Sequence, residues 1–286
     1  TCIVFGGAYL LRALTETGRL PGTAGVVFGL LFSLAFLVLA DRTAPTNALS
    51  AQFHGVTGML IGLPIVWEAT SQFHLLSPAF ASLFLAGGAA LAFVIAGRRQ
   101  LDALAGVAGF GTMATALATA FSAANYGSFA VLLIALSTAT YWLSDRPRHA
   151  WLRWPNAIAA GLAVIAVTAR AVATPPSETI GMALLTQSLL LATMQGSIAV
   201  RTVMFGRNVR PFDVLQAISG LVIGVGGAAF VARGSAPGLT LIGAVTAIMA
   251  SGAYLAAFFR LADRPHLAAS YHAFSAFGLV SATMAL

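Results

Sequence analysis

Charged residues in this chain are separated by long uncharged runs. From Thr23 to Ala40 eighteen successive residues carry no charge, and the run closes on Asp41-Arg42. A hydrocarbon layer about 30 Å thick needs roughly 20 apolar residues at about 1.5 Å each, and within it only a helix satisfies its own backbone polar groups. Uncharged runs between charged or Pro/Gly-rich breaks predict eleven spans, at 1 to 14, 23 to 40, 51 to 69, 78 to 96, 102 to 121, 128 to 144, 156 to 173, 180 to 200, 213 to 232, 238 to 259 and 268 to 286. Connections such as 15 to 22, 174 to 179 and 234 to 237 are turn chemistry, too short for further structure, so neighbouring spans run antiparallel. The expected fold class is all-α: a polytopic transmembrane helical bundle of about 11 spans, with residues 1 to 286 forming one transmembrane region and no soluble domain.

The phrase that closes the second span recurs. Leu39-Ala40-Asp41-Arg42, Leu143-Ser144-Asp145-Arg146 and Leu261-Ala262-Asp263-Arg264 end spans 2, 6 and 10. Spans 5 and 9 both open on an aspartate in a similar apolar setting, Leu101-Asp102-Ala103-Leu104 and Phe212-Asp213-Val214-Leu215. Spans 3 and 11 open with an aromatic beside a histidine, Phe53-His54 and Tyr271-His272. A period of four spans is even, so successive copies keep one orientation; four-helix parallel repeats are expected.

Composition strengthens the membrane reading. Only 8% of residues are charged, against about 25% in soluble domains. The basic balance of +7 would suggest nucleic acid in a soluble protein, but here the basic residues, all arginine, sit mainly in short connections, so no nucleic-acid partner is expected. Numbering each connection by the span it follows, the even ones carry Arg42; Arg98 and Arg99; Arg146, Arg148 and Arg153; Arg201, Arg207 and Arg210; Arg260 and Arg264. The odd ones hold only Arg19 and Arg233, so the positive-inside rule places even-numbered connections in the cytoplasm. Tyr141, Trp142, Trp151 and Trp154 cluster around the sixth connection, as interfacial aromatics would. The single cysteine, Cys2, excludes an internal disulfide. The chain opens at Thr1 and closes at Leu286, each inside an apolar run, and is expected to be a piece of a longer protein.

Residues 5 to 12, Phe5-Gly6-Gly7-Ala8-Tyr9-Leu10-Leu11-Arg12, followed by Glu16, Gly18, Leu20 and Pro21, form a local signature. Together with Phe73-His74-Leu75-Leu76-Ser77-Pro78-Ala79-Phe80-Ala81 and Leu104-Ala105-Gly106-Val107-Ala108-Gly109-Phe110, it resembles the bacterial predicted membrane proteins known as domain of unknown function 2339, over roughly residues 1 to 120. The third piece departs from the pattern, with Ala108 and Gly111-Thr112 where a second glycine and a nearby proline are expected. The resemblance implies many spans in a bacterial inner membrane, and no activity, cofactor or catalytic residue.

Charges inside spans cost several kcal/mol unless paired or hydrated, which singles out Arg12, Glu68 and Arg170, all near the outer ends of their spans. Either the arginines snorkel to the interface, with Arg12 pairing locally to Glu16, or Glu68 meets Arg12 or Arg170 in an outer-leaflet polar cluster. Pro64 favours the second, since it frees the carbonyl of Leu60 and often marks a kink or cavity lining; on that reading Glu68 is the costliest carboxylate to neutralise. His54 and His272 lie about one turn inside their spans, where an imidazole either bonds a backbone carbonyl or relays protons. Neither has a second ligand three or four residues away, so no metal site is read. Ser188 and Gln195, seven apart, share a face suited to interhelical hydrogen bonds.

Small-residue ladders at Gly58 and Gly62, and at Gly220, Gly224 and Ala228, allow backbones to approach closely, within the chain or against membrane-protein partners through these Gly-rich helix faces. Gly109-Phe110-Gly111 and Gly224-Val225-Gly226-Gly227 lack the preceding strand and the Gly-Lys-Ser/Thr of a nucleotide loop, and no cofactor or catalytic constellation is read. Two function classes stay open besides a membrane enzyme. One is a membrane scaffold or envelope-assembly component; the other is a transporter or lipid-handling permease.

Overall fold

The computed structural model describes residues 21–144, 147–173, 177–233, 236–263 and 265–285. They form ten helices: α1 Gly22–Thr43, α2 Ala48–Ser71, α3 Pro78–Arg99, α4 Asp102–Ser122, α5 Tyr126–Leu143, α6 Arg153–Ala173, α7 Ser177–Ala199, α8 Pro211–Ala232, α9 Ala236–Ala256 and α10 Ala268–Met284. Nine helices among the described residues are long and apolar enough to cross a membrane, and none of the described residues is in a strand. This is the composition and architecture of a multi-pass helical membrane protein in contact with lipid. Span 1 lies outside the described residues, and α1 to α10 correspond to spans 2 to 11.

Local chemistry sets the helix starts. Asn47, Ser77 and Asn125 each accept a hydrogen bond from a backbone N–H of the first turn of α2, α3 and α5, at 3.0, 3.4 and 3.4 Å. Pro78 follows Ser77 at the first helical position, where its missing N–H is harmless. At its other end α3 carries Arg98 and Arg99 in the last turn, where cations favour the helix dipole, and stops on Gln100 in the left-handed conformation, φ 59°.

The chain divides into two compact units, with the boundary inside α6 between Ala163 and Val164. In the first unit α1 packs along α2 through small residues. Ser33 Oγ donates to the carbonyl of Gly58 at 2.7 Å, and a Cβ built on Gly58 would stand 2.8 Å from the backbone oxygen of Ser33. One built on Gly62 would meet Ser33 Oγ at 2.5 Å, so the Gly58–Gly62 face is filled by this chain's own helix. Leu101, Leu104, Phe129, Leu133, Ile134 and Leu152 are fully buried in the same unit. Of the aromatics around the sixth connection, Tyr141 is buried, whereas Trp151 and Trp154 are exposed and Trp151 stacks on Phe110 at 5.3 Å.

In the second unit the glycine ladder of α8 packs on α7. A Cβ on Gly224 would lie 3.0 Å from Leu191 Cβ and 3.2 Å from the carbonyl oxygen of Gln187, and one on Gly220 would reach Gln195 Nε2 at 3.2 Å. Three π-helical segments interrupt this unit, at Val200–Met204 after α7, Leu221–Gly226 within α8 and Ala257–Leu261 after α9. Each widens its helix locally and redirects the side chains that follow. Buried hydroxyls in both units, among them Thr70, Thr140, Thr186 and Thr246, bond carbonyls of their own helices and need no partner elsewhere.

Candidate functional site

Charged groups at helix ends come together in pairs. In the first unit Arg99 Nε donates to Asp41 Oδ1 at 2.7 Å, joining the ends of α1 and α3 at the partly exposed surface. Asp102 opens α4 and lies 3.3 Å from Nε2 of His149, a buried residue of the Pro147–Leu152 turn between α5 and α6. Connections 2, 4 and 6 therefore gather at one end of this unit.

The second unit has a deeper pair. Arg201 Nη1 donates to Asp213 Oδ2 at 2.6 Å, with side chains 4% and 0% exposed. The π-helical segment continuing α7 carries Arg201 past the regular helix end, and Pro211 starts α8 so that Asp213 falls in its first turn, where a carboxylate favours the dipole. The backbone N–H of Arg210 also donates to Asp213 Oδ2, at 2.8 Å, while Oδ1 is buried without a hydrogen-bond partner. Beside it Asn208 Nδ2 donates to the carbonyl of His266 at 2.8 Å, Ser270 Oγ donates to Asn208 Oδ1 at 3.2 Å, and Ser270 Oγ accepts from the N–H of Val209 at 3.0 Å. Connections 8 and 10 are thus fastened together at one end of the second unit. Sequence reasoning treats Arg201 as an ordinary topogenic charge; the signal that points to this site is Asp213 opening a span in the pattern shared with Asp102.

Arg12 lies outside the described residues. Glu68, in the last turn of α2, is half-buried, and Arg170, in the last turn of α6, is exposed; they belong to different units. Among the described residues the deepest carboxylate is Asp213, not Glu68. His54 is half-buried, with Nε2 at 3.4 Å from Ser50 Oγ and its ring 5.7 Å from that of Phe36. His272 is exposed near the start of α10, its ring 5.4 Å from that of Tyr271. Ser188 is exposed on α7, whereas Gln195 is half-buried and its Nε2 donates to the carbonyl of Ala217 at 2.8 Å, tying α7 to α8. Among the described residues no three His, Cys, Asp or Glu side chains stand close enough to share a metal ion.

No protein-family model, curated protein or solved structure matches this chain. In the second unit α7, α8, α9 and α10 border a half-open pocket of about 520 Å³, within the range of about 300–1,000 Å³ usual for small-ligand sites. Its walls are alanine, glycine, valine, isoleucine, leucine, methionine and phenylalanine residues, with Gln195 and Asp213 as the only polar side chains on them among the described residues. Asp213 and Val209 stand at the arginine-bearing end, while Leu221, Met249 and Phe277, from the packed cluster around Leu191 and Val225, close the other. Such a space takes an apolar body and offers little to a hydrated ion.

Proposed function

We propose that this chain belongs to a multi-pass scaffold or envelope-assembly protein of a bacterial inner membrane, of the kind known as domain of unknown function 2339, with even-numbered connections in the cytoplasm. The observation that carries the reading is where polar groups are used. Asp41 with Arg99, Asp102 with His149 and Arg201 with Asp213 each tie helix ends within a unit. Of the candidates inside spans, Ser188, Arg170 and His272 are exposed and Gln195 is bonded to a neighbouring backbone. A path for a polar solute needs convergent polar groups at depth, and a scaffold needs rigid helices with free outer faces. Gly87 and Gly88 on α3 have nothing within 4 Å of a built Cβ, and Phe80, Leu83 and Phe84 beside them are exposed. This face is open to membrane-protein partners, unlike that of Gly58 and Gly62. The four-span repeat is part of the same proposal; Asp145, which closes its second copy, lies outside the described residues.

Two measurements test it. A photo-reactive benzoylphenylalanine at Leu83 gives a protein adduct of one discrete mass in intact cells, and purified protein in liposomes adds no proton or sodium flux to that of empty vesicles. Flux abolished by Glu68→Gln or Gln195→Ala, with only lipid adducts at Leu83, contradicts it. The second reading, a lipid-handling permease, draws on the apolar cavity, and predicts accelerated exchange of a fluorescent phospholipid between leaflets in the same vesicles.

A further inference from the structure

We propose that the turn between α5 and α6 is a proton-operated clasp: protonation of His149 draws it onto Asp102 and fixes the turn against α4. The clasp works the same way whether the protein assembles partners or moves lipid. The turn, Pro147–Leu152, lies along the first part of α4. At one end His149 Nε2 stands 3.3 Å from Asp102 Oδ1. Further along, a Cβ built on Gly106 would meet the Trp151 ring at 3.4 Å, Trp151 stacks on Phe110 at 5.3 Å, and a Cβ on Gly109 would stand 3.1 Å from the fully buried Leu152. From Asp102 to Phe110 this seat runs roughly 12 Å at about 1.5 Å per residue.

The apolar contacts of Trp151 and Leu152 do not change with pH, whereas the polar one at His149 does. Imidazole ordinarily changes charge between about pH 5 and 8, a range in which carboxylates and guanidinium groups keep theirs. A neutral ring gives the Asp102 carboxylate at most an ordinary hydrogen bond; an imidazolium gives a charge-assisted one, roughly twice as strong. The ring of His149 is 1% exposed and Asp102 48%, so the charged ring leans on this carboxylate in place of water while the carboxylate keeps much of its hydration. Asp41 with Arg99, at the same end of the unit, carries both charges across the range and is a fixed tie.

The helices packed on the turn are α4 and α5. Asp102 is the one charged residue of α4, and α5 has none, its titratable side chain at that end being the buried Tyr141. The flanking connections carry Arg98, Arg99, Asp145, Arg146, Arg148 and Arg153, whose charges are constant between about pH 5 and 8. Constant charges move the pH at which the ring changes state without changing the sign of its coupling to Asp102. The pair therefore contributes most when His149 is protonated, and the contribution is lost as the pH rises through the imidazole range.

The test is a double-mutant cycle on the whole chain in mild detergent, with His149→Gln, Asp102→Asn and both together, unfolded at about pH 5.5 and at about pH 8. The coupling between the two positions, as a factor in the folding equilibrium, is about five- to tenfold larger at the lower pH. The dipole interaction that Asp102→Asn removes from the start of α4 is missing from single and double variants alike and cancels in the cycle. A second readout needs no variant: amide exchange across Pro147–Leu152 of the parent chain, corrected for the intrinsic pH dependence of exchange, slows as the pH falls through the imidazole range. Coupling equal at the two pH values makes His149 a packed turn residue only and overturns the proposal. Coupling that grows with pH, or corrected exchange that does not slow, overturns it as well.

Discussion

Arg201→Met destabilises the protein by about 3–5 kcal/mol, the largest loss expected for a single charge among the described residues, because it leaves the carboxylate of Asp213 buried and uncompensated. Asp213→Leu is similarly severe, since it strands the guanidinium and also removes the acceptor for the backbone N–H of Arg210. The double variant recovers most of either loss, as apolar replacements of buried ion pairs commonly do, and keeps a deficit of about 1 kcal/mol from the lost helix cap. Thermal unfolding in detergent of the parent, both singles and the double gives the coupling energy directly. Glu68→Gln in the same series shows a smaller loss than Asp213→Leu, because Glu68 is only half-buried. Additive losses in the double variant, or a larger effect at Glu68, would show that the pair does not hold the α7–α8 junction.

Gly58→Leu is the second large effect. The new Cβ would lie 2.8 Å from the backbone oxygen of Ser33, and backbone cannot swing aside as a side-chain tip can. Helix α1 must move away from α2, which breaks the hydrogen bond from Ser33 Oγ to the Gly58 carbonyl and opens the interface around Phe36 and Leu37. Overpacking of this kind costs about 1–3 kcal/mol, with about 1 kcal/mol more for the lost bond. Gly87→Leu is the control: nothing lies within 4 Å of its built Cβ, so its unfolding temperature stays within error of the parent or rises through better helix propensity. Equal losses at the two positions would mean that glycine content, not the close approach of α1 and α2, sets stability.

The helices were legible in the sequence because membrane thickness imposes length and the bilayer interior excludes charge, so uncharged runs and helices coincide. Their starts were less so. The uncharged run predicts a span from residue 51, whereas α2 begins at Ala48, because Asn47 caps the helix outside the run. The role of Gly58 and Gly62 followed from their spacing, but the partner did not, and the face turned out to be filled by α1. Arg201 and Asp213 were illegible as a pair. They are twelve residues apart across a turn, and only the π-helical extension of α7 brings them together; nothing in composition marks where a helix will widen by one residue. The cavity was invisible for a related reason, since apolar runs state which residues avoid water and not whether the faces they form will meet.

The proposed orientation of this multi-pass membrane protein, with even-numbered connections in the cytoplasm, is tested most directly by single-cysteine accessibility. In a Cys2→Ser background, cysteines replace Gln100 and Arg207 in even connections and Ser122 at an odd one, all three exposed. An impermeant maleimide added to intact cells labels Ser122→Cys and leaves Gln100→Cys and Arg207→Cys unreacted until the membrane is permeabilised. Labelling of Gln100→Cys or Arg207→Cys in intact cells, with Ser122→Cys protected, would contradict the orientation, and Gln100→Cys and Arg207→Cys reacting from opposite sides would contradict the topology itself.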